Sequence, residues 1–219
     1  MATSSSVHDQ IASSTLLLIK PNQNLIIELN PFLYDSYMLH VVECLKYSPL
    51  VIALTQVEAV PMSLLSQVYS TASYDKNKER IYFQIHSHKA SMSKGRFCSL
   101  LHLAVDSYVI SPDFITTPQL FSMLYDMGYT DVLTTITKVK KSCLPSPWNG
   151  MLTLLIKSLE ERSAGSNGTS KGFLTLLYDL YNGLNLDYGS IIWSQVVQSL
   201  NTSTRHSEIS CARFWTIIT

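Results

Sequence analysis

The chain has 219 residues, of which 46% are hydrophobic and only 15% are charged. This length allows one large domain or two small ones, and the apolar fraction is sufficient for a hydrophobic core. The 16 basic and 16 acidic residues cancel, so the chain has no overall field to attract nucleic acid or anionic lipid. A chain without net charge is poorly protected against self-association, and we expect contact with itself or with a helical partner.

Several classes of protein are disfavoured by the sequence. The scattered cysteines, Cys44, Cys98, Cys143 and Cys211, form no C-x-x-C pair, which argues against a zinc ribbon or a disulfide framework. The N-terminus lacks the features of a signal peptide, and no stretch reaches the roughly 18 apolar residues of a membrane span. We therefore predict an intracellular protein of the cytoplasm or nucleus, without a membrane partner, metal or cofactor.

The first half of the chain predicts short helices. Residues 1–24 are rich in Ser, Thr, Asn and Gln and are predicted to be disordered, with a single domain over 25–219. Residues 25–29 fit a short strand or an extended lead-in. The spacing of apolar residues predicts helices over 35–47, 48–54 and from Pro61 onward.

A change of period follows and indicates a β-hairpin. Residues 80–85 are aromatic and β-branched, 86–89 form a turn, and 90–93 form a short return strand. Ser93 is predicted to cap a helix that reaches about residue 103. Thr117 is predicted to cap the next helix, which ends at Gly128.

The second half predicts three or four helices, over 147–162, 170–181, 188–200 and from Thr204 onward. A basic loop at 138–147 is a soft candidate for a domain boundary, although we favour one body. The last residues form an apolar run without a capping glycine, proline or polar tail, so we expect a truncated C-terminus. The predicted fold class is mainly α, a helical bundle-like domain with one short hairpin insert around 80–93.

One surface has the composition of a nucleic-acid-binding site. Basic side chains neutralise phosphate and aromatic rings stack on bases, and the hairpin region combines both. Lysines at an edge strand also protect a sheet from unwanted pairing, so this alternative stays open. The candidate residues are Lys76, Lys78, Arg80, Tyr82, Lys89, Lys94 and Arg96, with Lys138, Lys140 and Lys141 as additions.

Three other patterns are weighed and set aside. Residues 165–172 resemble a phosphate loop, but Ser170 precedes Lys171 where that motif requires glycine. His86 and His88 lack further metal ligands nearby in the sequence. His206 and Cys211 are five residues apart, which is poor registry for a thiol–imidazole pair on one helix. No local pattern selects the three carboxylates of a two-metal nuclease, so no catalytic residue is predicted.

Five short segments of the sequence resemble a family of plant transposable-element open reading frames. They are the stretches at 93–98 (SKGRFC), 123–130 (MLYDMGYT), 144–149 (LPSPWN), 184–190 (LNLDYGS) and 204–215 (TRHSEISCARFW). The likeness, to plant transposon or retrotransposon gag-like proteins, extends from about residue 31 to the C-terminus. It implies a domesticated or decaying mobile-element product and supplies no catalytic residue.

The sequence thus leaves three hypotheses of function. The first is a non-enzymatic, transposable-element-derived protein that associates with itself or with a partner through apolar helix faces. The second is a nucleic-acid-binding module that uses the basic aromatic hairpin. The third is a degenerate nuclease or transposase remnant.

Overall fold

Helices dominate the structure, a computed structural model that describes residues 16–104, 109–160 and 167–219. This confirms the prediction of a mainly α-helical chain with some β structure. The helices are α1 (Leu39–Tyr47), α2 (Val51–Thr55), α3 (Met62–Thr71), α4 (Lys94–Leu100), α5 (Thr117–Asp126), α6 (Ser146–Leu159), α7 (Lys171–Asn182), α8 (Tyr188–Ser199) and α9 (Ala212–Ile218). The strands are β1 (Leu18–Ile19), β2 (Ser73–Asp75), β3 (Arg80–Ile85), β4 (His88–Ser93) and β5 (Glu208–Ile209).

Local capping groups explain where several helices begin. The Ser93 hydroxyl accepts from the backbone N–H of Arg96 at 3.2 Å, as the sequence predicted for α4. The cap of α5 is Thr116 and not the predicted Thr117, because the Thr116 N–H donates to the side chain of Gln119 at 2.8 Å in a capping box. Gly128 follows α5 with a φ of 90°, which glycine adopts without strain.

The predicted hairpin is present and belongs to a larger sheet. β3 lies between β2 and β4 in an antiparallel sheet in the order β2-β3-β4. The turn is shorter than predicted, because β4 already begins at His88 and pairs with Ile85. Ile81 and Phe83 are buried on the inner face of this sheet, which therefore packs against the helices.

The segment 16–33, which we call the N-terminal strap, runs over the helices; it is irregular, with a turn and a bend over 21–24 and a 3-10 helix at Pro31–Leu33. β1 within it pairs in parallel with β5, and the N–H groups of Leu25 and Ile27 donate to the carbonyls of Lys157 and Leu54. Residues 16–24 are therefore packed, although the sequence predicted disorder there. The rest of that predicted disordered segment lies outside the described residues.

The end of the chain begins its last helix later than predicted. Residues from Thr204 form turns and then β5, and α9 starts only at Ala212. Cys211 precedes α9 with a φ of 55°, and its N–H donates to the side chain of Gln23 at 3.0 Å. Pairing with the strap thus replaces the predicted first helical turns.

A buried arginine joins four parts of the chain. The Arg213 guanidinium donates to the carbonyls of Asn24, Gln56 and Ser158 at 3.2, 2.9 and 2.8 Å and to the Ser158 hydroxyl at 3.0 Å. Burial lowers the pKa of Arg213 to about 10, because a charged group loses solvation in the interior. The strap, the end of α2, α6 and α9 therefore meet at one side chain.

The core extends across the candidate boundary at 138–147. One cluster of buried apolar side chains includes Val42, Leu120, Leu155 and Trp215 together with Val139 from the boundary segment itself. The described part of the chain thus shares one hydrophobic core, and the division into domains stays a prediction.

Candidate functional site

The outer face of the sheet brings together four of the predicted basic and aromatic residues. Successive residues of a strand alternate between faces, so Arg80, Tyr82 and Gln84 point away from buried Ile81 and Phe83. The register places Ser91 opposite Tyr82 and Lys89 opposite Gln84. The Tyr82 side chain lies in the centre of this face and is exposed.

Two contacts define the surroundings of Tyr82. The Lys78 ammonium lies 5.9 Å from the centroid of the Tyr82 ring, which is within the range of a cation–π interaction. Arg80 Nη1 donates to the Ser91 hydroxyl at 2.9 Å, so the guanidinium lies along the sheet surface. Lys78 also pairs with the Asp75 carboxylate at 3.8 Å, so the face presents one aromatic ring bordered by Arg80 and by a lysine that is partly neutralised, which suits the stacking of one base.

Lys94 belongs to a different group of charges. Its ammonium donates to the Ser190 hydroxyl at 2.6 Å and lies 3.5 Å from the Asp187 carboxylate and 3.8 Å from that of Glu79. Two carboxylates near this cation already neutralise it. Lys94 thus joins the start of α4 to the start of α8 and is poorly placed to bind phosphate.

The remaining predicted basic residues do not extend the sheet face. Lys140 forms an ion pair with Asp131 at 3.3 Å, and the N–H of Lys141 donates to the Asn167 carbonyl. Burial lowers the pKa of Lys141. Lys138 is exposed near them, Arg96 is exposed on α4, and Lys76 lines a cleft beside α8.

In the described part of the chain, the histidines and cysteines that were considered in the sequence do not come together in a site. His86 occupies the hairpin turn with a φ of 53°, whereas His88 begins β4. Cys211 is buried and His206 is exposed. Over the described ranges, no three side chains of the His, Cys, Asp and Glu types converge as metal ligands.

A large cleft lined by many hydroxyl and amide side chains lies beside α8, and the sequence did not predict it. It encloses about 940 Å³, and a second cleft of about 570 Å³ shares Ser190, Ser194 and Gln198 with it. These three residues recur every four positions along α8, which places them on one helix face. This polar stripe on an apolar helix is the sequence signal that would have indicated the cleft.

The segment that resembles a phosphate loop ends at this cleft. Residues 169–172 lead into the N-terminus of α7 and line the larger cavity. The resembling segment therefore precedes a helix, and an irregular segment precedes it. Part of the loop-like stretch, residues 161–166, falls outside the structurally described chain.

The strap carries seven of the fifteen large apolar side chains that are exposed in the described chain. Ten of the fifteen large apolar side chains that are exposed in the described chain belong to residues 16–57. The members within the strap are Leu16, Leu18, Ile19, Leu25, Ile26, Phe32 and Leu33. The apolar faces of the helices, by contrast, pack against each other in the core.

Comparisons with protein-family models, with curated proteins and with solved structures find no match. Within the residues that the structure describes, no helix has the length and apolar character needed to cross a bilayer.

Proposed function

We propose that this chain is a non-enzymatic, plant transposable-element-derived protein whose function is self-association, and that a second copy packs on the outward face of the N-terminal strap. The observation that carries this proposal is the concentration of exposed apolar side chains on the strap. Exposed apolar groups clustered in this way are typical of interaction surfaces. The sequence predicted association through apolar helix faces; most apolar side chains of the helices pack in the core, and the exposed strap is therefore the surface that we favour.

The strap is fixed in place on one side only. Leu17 and Ile27 are buried, while their neighbours Leu18 and Ile26 are 69% and 52% exposed. The inward side chains and the hydrogen bonds to Leu54 and Lys157 hold the segment. A second chain would therefore meet a surface that is already ordered, which lowers the entropy lost on association.

A second copy fits this surface better than a strongly charged partner. The chain has no net charge, so two copies do not repel each other at long range. β1 pairs with β5 on one edge, and on its other edge the Leu17 N–H donates to the Ser66 hydroxyl of α3 at 3.2 Å, so a second copy would meet the outward side chains of the strap and not a free strand edge. Packing of the two straps against each other around a two-fold axis would bury both apolar faces.

The test is the mass of the chain in solution. Sedimentation velocity is expected to give a species of twice the 24.6 kDa chain mass, in a concentration-dependent equilibrium with the monomer. Replacing Leu18, Ile26 and Phe32 together by Ser should shift this equilibrium to the monomer, because all three side chains are exposed on the strap.

A matched control variant removes three exposed apolar side chains that lie outside the strap. Phe114, Tyr125 and Val132 are 75%, 51% and 78% exposed, and their joint replacement by Ser should leave the dimer intact. A monomer at all concentrations, or equal weakening by both triple variants, would contradict the proposal.

A second candidate function, single-stranded nucleic-acid binding, is favoured by the outer sheet face alone. Its support is the position of exposed Tyr82 beside Lys78, Arg80 and Lys89. Tyr82→Ala should weaken binding of a short single-stranded RNA by about 10-fold, corresponding to one lost stacking contact. Tyr125→Ala, which removes an exposed tyrosine from α5, serves as the control, and binding that is insensitive to Tyr82→Ala would exclude this face.

A further inference from the structure

We infer that the larger cleft beside α8 is a binding site for a phosphate-bearing ribonucleotide of mononucleotide size. Its volume of about 940 Å³ is in the range of pockets that enclose small organic ligands. The lining is rich in hydroxyl and amide side chains and includes both a lysine and two carboxylates. This site is independent of the proposed self-association, because it lies between α7 and α8 and involves no residue of the strap.

The start of α7 supplies the phosphate end of the site. α7 has 12 residues, and the side chain of its N-cap residue, Ser170, makes no capping hydrogen bond. The first N–H groups of a helix have no partner within it, and the helix dipole places partial positive charge there. Lys171, whose side chain is exposed, adds a full charge at the same point. These features together favour a phosphate group.

A buried hydroxyl provides independent support for a ligand. Thr169 lines the cleft, is only 4% exposed, and its Oγ1 has no hydrogen-bond partner in the described structure. Burial of a hydroxyl without a partner costs free energy. An oxygen of a phosphate held at the N-terminus of α7 would accept this missing hydrogen bond, because Thr169 is only two residues before Lys171.

The two carboxylates argue for a nucleotide and against phosphate alone. Asp113 and Glu160 line the same cleft and would repel an anion that carries no donor groups. Glu160 interacts electrostatically with Lys141, which reduces this repulsion. Asp113 is exposed and can accept hydrogen bonds from the vicinal hydroxyls of a ribose, as acidic residues do in dinucleotide-binding folds.

The polar stripe on α8 leads from this site toward an aromatic group. Ser190, Ser194 and Gln198 continue into the second cleft, which Trp193 and Tyr74 also line. The Trp193 indole Nε1 is buried and lacks a hydrogen-bond partner in the described structure. A base directed along the stripe would offer acceptors to the amide and indole donors there.

The experiment is isothermal titration calorimetry of the full chain with AMP, ADP, adenosine and inorganic phosphate, each in a phosphate-free buffer. AMP and ADP are expected to bind, with adenosine and inorganic phosphate each at least about 10-fold weaker, because each lacks one of the two anchors. No heat of binding for ADP at millimolar concentration would overturn the inference. Equal affinity for inorganic phosphate and AMP would overturn the assignment of a nucleotide.

Three variants locate the binding. Thr169→Val and Lys171→Gln should each weaken AMP binding by about 10-fold, the effect of one lost charged hydrogen bond. Asp113→Asn should weaken AMP binding and strengthen the binding of inorganic phosphate, because it removes a carboxylate that repels the anion. Lys46→Gln on α1 is the matched lysine control and should have no effect. Because Lys171 and Asp113 are exposed, the Lys171→Gln and Asp113→Asn variants are expected to fold even if Thr169→Val does not. If both of these variants bind AMP as tightly as the original chain, the inference is overturned.

Discussion

The N-terminal strap and α9 are both rich in apolar residues, but they differ in which sides are covered. Six of the seven residues of α9 are buried, whereas seven large apolar side chains of the strap face solvent. α9 packs against α3 and α4. The Arg213 side chain of α9 also donates hydrogen bonds to the strap and to α6. The strap contacts α9, and among the residues that the structure describes its outward apolar side chains are exposed. The same composition thus serves as core in one segment and as an available surface in the other.

The largest expected effect is a loss of stability when the buried contacts of α9 are removed. Arg213→Met should lower the free energy of unfolding by about 4 kcal/mol, because the carbonyls of Asn24, Gln56 and Ser158 lose their buried donor. Urea unfolding at fixed protein concentration measures it. Arg96→Met, at an exposed arginine, should change stability by no more than about 0.5 kcal/mol. Similar values for both variants would show that the Arg213 contacts do not hold the segments together.

A neighbouring pair of isoleucines separates the two sides of the strap. Ile27 is 5% exposed and Ile26 is 52% exposed. Ile27→Ala should lower the free energy of unfolding by about 3 kcal/mol through the lost burial and the cavity, and Ile26→Ala by no more than about 0.5 kcal/mol. The Ile26 variant should instead weaken the dimer. An equal loss of stability in both variants would mean that the strap has no inward and outward side.

The contact between α4 and α8 offers a smaller test within the covered region. A Cβ on Gly189 would overlap with the Cys98 sulfur, so Gly189→Ala should cost about 2 kcal/mol. Cys98→Ala makes room, and the double variant should lose less stability than the sum of the single variants. Gly95→Ala on α4 is the control, because a Cβ there meets nothing within 4 Å. Strict additivity would contradict this close contact.

The smallest expected effect is a dependence of stability on pH. Burial, with a further contribution from Asp187, raises the pKa of the Cys98 thiol from 9.0 to about 11. Below pH 9 both folded and unfolded chains keep the proton and this contribution to stability is fully present. Between pH 9 and 10 the unfolded chain loses its proton first, so stability should fall by about 1 kcal/mol. Cys98→Ala should reduce this decline in urea titrations at pH 8, 9 and 10; an unchanged slope would assign it to other groups.

Much of the helical structure could be predicted from local sequence. The spacing of Leu64, Leu65 and Val68 in α3, and of Phe173, Leu176 and Leu177 in α7, has the period of a helix packed on one side. The alternation in β3 likewise indicated a strand with one buried face. These patterns survive in the structure because each element buries the face that its own sequence makes apolar.

The candidate sites were predicted less well. The basic residues were grouped by closeness in sequence, and the fold separates them: Lys78, Arg80 and Lys89 share the sheet surface, Lys94 is held by Asp187, and Lys140 pairs with Asp131. The cleft beside α8 combines residues from five separate parts of the chain. The local sequence of each part does not indicate which other parts of the chain lie next to it.

The sequence by itself determined most of the helices and the hairpin, because turns, caps and apolar periodicity act over a few residues. Only the tertiary structure decided which apolar residues are covered. Leu18 and Ile209 look equally suited to a core, yet one is 69% exposed and the other is fully buried. The physical reason is that burial depends on contacts between distant parts of the chain, such as β1 with β5 and Arg213 with Asn24, and no local pattern encodes those contacts.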